Sequence, residues 1–141
     1  WDMKSANNVV LKTRDENHYA ISDLGVSFGK TGSNGLPLFW RIGRSRNNPD
    51  DYSKARFVKG SEKNRVKLVF NGKNRSRMKN FSTADARWLA DLLRQLSDKQ
   101  IRDAFRAANY SQRNIDLLTR AVKSRITQLD QAAVDRRVAR Y

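Results

Sequence analysis

The chain has 141 residues, of which 38% are hydrophobic, 9% aromatic and 30% charged, with no cysteine and a single histidine, His18. This composition excludes a disulfide scaffold, a thiolate zinc site and a cysteine nucleophile, while three Trp, four Tyr and six Phe argue against a wholly disordered chain. Lys and Arg number 29 against 14 Asp and Glu, a formal net charge of +15, so phosphate-bearing partners enter from the start.

No apolar run approaches the roughly 20 residues a membrane-spanning helix needs, so no transmembrane segment is expected. The length fits one domain or the C-terminal part of a larger one. Charge is uneven along it. Residues 41–80 carry thirteen basic and three acidic side chains, whereas residues 1–40 carry four of each.

In chain order, Asn8-Val9-Val10-Leu11 is a β-prone run and Thr13 to Asn17 is polar turn chemistry. His18-Tyr19-Ala20-Ile21-Ser22 resumes the extended pattern, which predicts a hairpin. Gly25, Gly29, Gly32 and Gly35 then punctuate a loop that runs to Pro37 and the Leu38-Phe39-Trp40 cluster. Gly29-Lys30-Thr31-Gly32 lacks the spacing of a phosphate-binding P-loop.

A second hairpin is predicted from Ala55–Lys59 and Arg65–Phe70, separated by residues 60–64, with Val66, Leu68 and Phe70 on one face. Lys73 to Asn80 reads as a basic loop. From Ser82 the period becomes helical. Ser82 with Asp85 and Ser97 with Gln100 have capping-box spacing, and Ser111 is a candidate cap for a third helix.

The first of these helices places Trp88, Leu89, Leu92, Leu93 and Leu96 on one stripe, with Trp88, Leu92 and Leu96 expected in the core. The second carries Ile101, Ala104, Phe105 and Ala108 and breaks at Asn109-Tyr110. The third, the longest, carries Ile115, Leu118, Val122, Ile126, Leu129 and Ala133. The expected fold class is therefore α+β: short β-hairpins and basic loops over residues 1–81, followed by a C-terminal three-helix bundle over residues 82–141.

The sharpest chemical signal opens the chain. Asp2, Lys4 and Asn7 precede the first predicted strand, and Asp23 and Gly25 follow its hairpin partner. An antiparallel ribbon returns Asp23 toward Asn7, joining a carboxylate and an amide of the kind Mg²⁺ accepts, while Gly25 allows a sharp turn. This spacing resembles the Asp-x4-Asn catalytic loop and the later Asp-x-Gly of the protein kinases. Asp-Leu-Gly-Val-Ser-Phe-Gly at 23–29 is more similar to atypical and phosphoinositide-kinase-like members with a reduced C-lobe, and to some bacterial proteins sharing the Trp-Asp loop and helical tail.

The resemblance implies Asp2 as catalytic base, Lys4 as a γ-phosphate contact, Asn7 and Asp23 as metal ligands, and Gly25 beside the nucleotide, with ATP and Mg²⁺ as cofactors. No Gly-rich hairpin with a following Lys precedes Asp2. The expected entity is accordingly a C-terminal lobe that needs a missing N-terminal lobe or a partner chain to clamp ATP. The alternative is a binding module without catalysis, in which Arg41, Arg44, Arg46, Lys73, Arg75, Arg77 and Lys79 engage nucleic acid or another polyanion. A third reading is an assembly protein whose basic surface meets an acidic partner chain.

Overall fold

A computed structural model of the chain describes residues 8–21, 28, 48–70, 76, 78 and 81–134. It is an α+β architecture of two small antiparallel hairpins and several helices. β1 (Asn8–Lys12) pairs with β2 (Asn17–Ile21) in the register Asn8 to Ile21 and Lys12 to Asn17. Thr13 closes the turn, its N–H and Oγ1 both donating to Glu16 O at 3.0 Å. The ribbon matches the predicted hairpin, and it is exposed along its length: Val9, Val10, Leu11, Tyr19 and Ile21 all lie open.

The short helix α1 (Pro49–Lys54) has no counterpart among the predicted elements, although its start signals are plain. Asn48 Oδ1 accepts from the N–H groups of Asp50 and Asp51, Pro49 occupies the first turn, and the two acidic residues face the positive end of the helix dipole. Six residues are too few for hydrophobic periodicity to show.

β3 (Val58–Glu62) and β4 (Arg65–Leu68) form the second hairpin. Its turn is shorter than residues 60–64, because Lys63 and Asn64 both take positive φ, 50° and 60°, as a two-residue hairpin loop requires. Gly60 therefore lies inside β3. There the register slips between Val58 and Gly60, making Lys59 the extra residue of a β-bulge, and Gly60 adopts φ 150°. Val66 N–H donates to Phe81 O at 2.9 Å and Thr83 N–H to Asn64 O at 3.0 Å, tying this hairpin to the start of the next helix.

α2 (Thr83–Leu93) and α3 (Asp98–Ala107) begin with the capping boxes expected at Ser82/Asp85 and Ser97/Gln100. α4 (Gln112–Ala133) follows Ser111, whose side chain makes no capping hydrogen bond. Between α3 and α4, Asn109 takes φ 59°. The N–H of Tyr110 reaches Phe105 O and that of Asn109 reaches Arg106 O, a Schellman ending sealed by the Phe105–Tyr110 ring contact.

The helices do not share one central core. α2 packs on the second half of α4, where Ala86 and Ala90 meet Leu129, Ala132 and Ala133 together with Val66 of β4. α3 packs on the first half, where Ile101 and Phe105 meet Ile115 and Leu118. The alanines of α2 let the two helix backbones approach closely, so its buried side is the Ala86/Ala90 side flanked by Leu89 and Leu93. Trp88, Leu92 and Leu96, expected inside, are instead exposed, Trp88 at 65%. In α3, Ala104 and Ala108 also lie outside, leaving Ile101 and Phe105 as its core contacts.

Candidate functional site

Asp2, Lys4, Asn7, Asp23 and Gly25 lie outside the described residues, as do Arg41, Arg44, Arg46, Lys73, Arg75, Arg77, Lys79 and Trp40. What is described are the two anchors that frame the first group. Asn8 is paired with Ile21, so the start of β1 and the end of β2 lie side by side; in sequence Asn7 comes one residue before the first and Asp23 two residues after the second. The second anchor is Phe28, whose ring meets Tyr52 at 5.2 Å, Phe105 at 5.0 Å and Tyr110 at 6.4 Å, all edge to face. Asp23 and Gly25 fall in the six residues joining these anchors.

The aromatic anchor is itself secured to α4. Arg125 stacks on Tyr52, its guanidinium carbon 3.4 Å from the ring centroid, and donates through Nη2 to Tyr52 O at 2.8 Å. Burial pushes the Tyr52 phenol above its ordinary pKa, with the attraction of Arg125 acting the other way. Burial likewise pulls the Arg125 guanidinium below its usual value. Arg113 holds α1 from the helix start by a forked pair to Asp50, with contacts of 2.9 and 3.3 Å, and this hydrogen-bonded cation keeps the Asp50 carboxyl below its ordinary value.

Among the described residues, a second arrangement lies between β3 and α4. A groove of about 460 Å³ is lined by Arg56, Val58, Lys59, Gly60 and Ser61 on one side and by Gln128, Gln131 and Ala132 on the other. Val58 N–H donates to Gln128 Oε1 at 3.4 Å, and Gln128 Nε2 donates to Ser124 Oγ at 3.2 Å, so this glutamine fastens strand to helix. Arg56 is held by its own strand: Nε donates to Val58 O and Nη2 to Lys59 O, both at 3.0 Å.

Among the described residues, no carboxylate lines this groove. The nearby Glu62 is paired with Lys67, whose hydrogen bond lowers the Glu62 carboxyl pKa, and Asp130 of α4 is paired with Arg94. Elsewhere on the helices the cations are mostly matched, Arg102 with Asp116, Arg106 and Lys99 with Asp103, and Lys123 with Asp98. Among the described residues, Arg56 and Lys59 at the bulge therefore have no carboxylate partner, while the helices pair most of their cations with acids.

Sequence reasoning counted Arg56 and Lys59 within the basic stretch without assigning them a site, and passed over Gln128 and Gln131. The available signal was Lys59-Gly60-Ser61, a glycine flanked by strand residues, which marks a bulge as readily as a turn. The side chain of His18 is exposed and lies 3.1 Å from Glu16, in keeping with a surface histidine. No cluster of His, Asp and Glu suited to a metal ion occurs among the described residues, and no helix there is long and apolar enough to cross a membrane. No family model, curated protein or solved structure matches the chain.

Proposed function

We propose that the chain is the C-terminal lobe of an atypical, kinase-like phosphotransferase that uses ATP and Mg²⁺ together with an ATP-clamping N-terminal lobe. The observation that carries this reading is the pairing of Asn8 with Ile21, which supports a common location for the Asp-x4-Asn loop and the Asp-Leu-Gly segment. Asp2 takes the role of acceptor-orienting carboxylate, Lys4 that of a γ-phosphate contact, and Asn7 and Asp23 those of metal ligands, with Gly25 at the turn beside the nucleotide.

The exposure of Val9, Val10, Leu11, Tyr19 and Ile21 favours the two-lobe form of the proposal. An isolated two-stranded ribbon is marginal in water, and one with five open apolar side chains gains most from a second body laid over it. The test is Mg²⁺-dependent phosphoryl transfer from ATP by the full natural polypeptide. Asp2→Asn is expected to lower the rate about 100-fold or more, and Asp23→Asn to weaken the Mg²⁺ dependence, with circular dichroism confirming that both variants fold. Unchanged rates in both variants, or no binding of Mg²⁺-ATP by the natural protein, would overturn the reading.

A further inference from the structure

We infer that the groove between β3 and α4 is a binding site for one nucleotide unit, with the phosphate seated at the β3 bulge and the base against α4. This is independent of the phosphoryl-transfer reading, since it uses none of Asp2, Lys4, Asn7, Asp23 or Gly25.

Three features converge on it. The first is a pre-set cation. With Nε and one Nη2 proton engaged on backbone carbonyls, the Arg56 guanidinium is oriented without a carboxylate partner, and Nη1 remains available for an oxyanion. An arginine fixed in this way loses little further freedom on binding phosphate. The side-chain ammonium of Lys59, the bulged residue, has no hydrogen-bond or ion-pair partner among the described residues and supplies a second positive charge.

The second feature is access to the backbone. A β-carbon built at Gly60 would meet nothing of the described residues within 4 Å, so the strand is open to a ligand there, and the Ser61 hydroxyl beside it has no partner among them. Glycine inside a strand commonly marks close approach of a ligand or another backbone. Bulges recur beside binding sites because they re-aim a side chain, here Lys59.

The third is the opposite wall. Gln131 lines the groove with neither its amide donor nor its acceptor engaged among the described residues, and Val58 and Ala132 provide an apolar surface next to it. A carboxamide offering a donor and an acceptor together suits the edge of a nucleobase, and an apolar floor suits its face. The volume of about 460 Å³ lies in the range of small-ligand sites. A bare phosphate would leave the Gln131 wall unused, and a fatty ligand would leave Arg56 and Lys59 without a partner.

The nucleotide arrives either free or as one unit of a single strand, and the experiment separates these. Backbone amide resonances of Lys59, Gly60 and Ser61 and the side-chain amide of Gln131 are followed by NMR during titration with AMP, inorganic phosphate and adenosine. AMP is expected to shift all four, phosphate only the bulge amides, and adenosine only the Gln131 amide. Lys59→Glu is expected to weaken AMP about tenfold and Gln131→Ala about threefold, whereas Arg14→Glu, an equal charge change outside the groove, alters it less than twofold. A single-stranded decanucleotide measured alongside assigns the source. Lys59 dependence shared with AMP identifies a strand, and dependence confined to AMP identifies the free nucleotide. Failure of AMP to move these resonances, or equal weakening by Arg14→Glu, would overturn the inference, and the Asp23→Asn protein should bind AMP at the groove as the natural one does.

Discussion

The Arg125 guanidinium of α4 sits over the ring of Tyr52 of α1, its carbon 3.4 Å from the centroid, and also donates to the Tyr52 carbonyl oxygen. One side chain thus adds a second hydrogen bond to a carbonyl that already accepts from Ala55 N–H at 3.3 Å, and covers a half-buried ring. Arg125→Lys keeps the charge but loses the planar stack and the aimed Nη2, and is expected to cost about 1–2 kcal/mol in urea unfolding. A loss of only a tenth of that would mean the contact is incidental.

Because burial raises the Tyr52 phenol, the folded state holds its proton more tightly than the unfolded chain does. The stability this represents is fully present below the unfolded value of about 10 and falls as pH rises above it. Ultraviolet titration should show the Tyr52 phenol ionising late, and later again in Arg125→Met, where the opposing attraction is gone.

At the acid end the sign reverses. Asp50, Glu62, Asp103 and Asp116 have lowered pKa values, each led by a hydrogen bond from Arg113, Lys67, Lys99 and Arg102 respectively. Their contributions are present above the unfolded carboxylate values of about 4 and are lost as pH falls below them. The Asp50, Glu62 and Asp103 pairs face solvent and the Arg102–Asp116 pair is half-buried, so most of the acid-induced drop in melting temperature should shrink when salt is raised.

Thr119 is 3% exposed, and its hydroxyl has no hydrogen-bond partner. Thr119→Val keeps the shape and removes the orphan group, so thermal unfolding should show stabilisation of about 1 kcal/mol. Destabilisation would indicate that the hydroxyl is satisfied in solution.

Phe105 and Trp88 should respond oppositely to truncation. Phe105→Ala removes a buried ring that meets Phe28 and Tyr110 edge to face and should cost about 3–5 kcal/mol. Trp88→Ala removes a ring that is 65% exposed and should change stability by less than about 1 kcal/mol. Paired denaturation curves settle the order.

The contrast between these two aromatics also shows which parts of the fold were legible in the sequence. Capping boxes at Ser82 and Ser97 depend on residues three apart and read directly, and so does the period of α4, whose apolar positions recur over 22 residues. α2 misled because large leucines and a tryptophan outweigh alanines in any pattern, while the helix docks through Ala86 and Ala90. Nothing local announces a close helix approach. Gly60 misled for a related reason, since a glycine between strands serves a turn or a bulge equally well, and positive φ at Lys63 and Asn64 decided between them. The groove was hidden because it joins β3 to residues some seventy positions later on α4, a proximity that only the folded chain creates.

At 22 residues α4 runs about 33 Å, and it is the shared wall of two separate hydrophobic clusters. Each flanking unit, α2 with the bulged hairpin or α3 with the aromatic ring cluster, can detach without exposing the other's contacts. Slowest deuterium uptake should therefore sit in the middle of this rod, with the two ends exchanging as independent leaves hinged on a common spine.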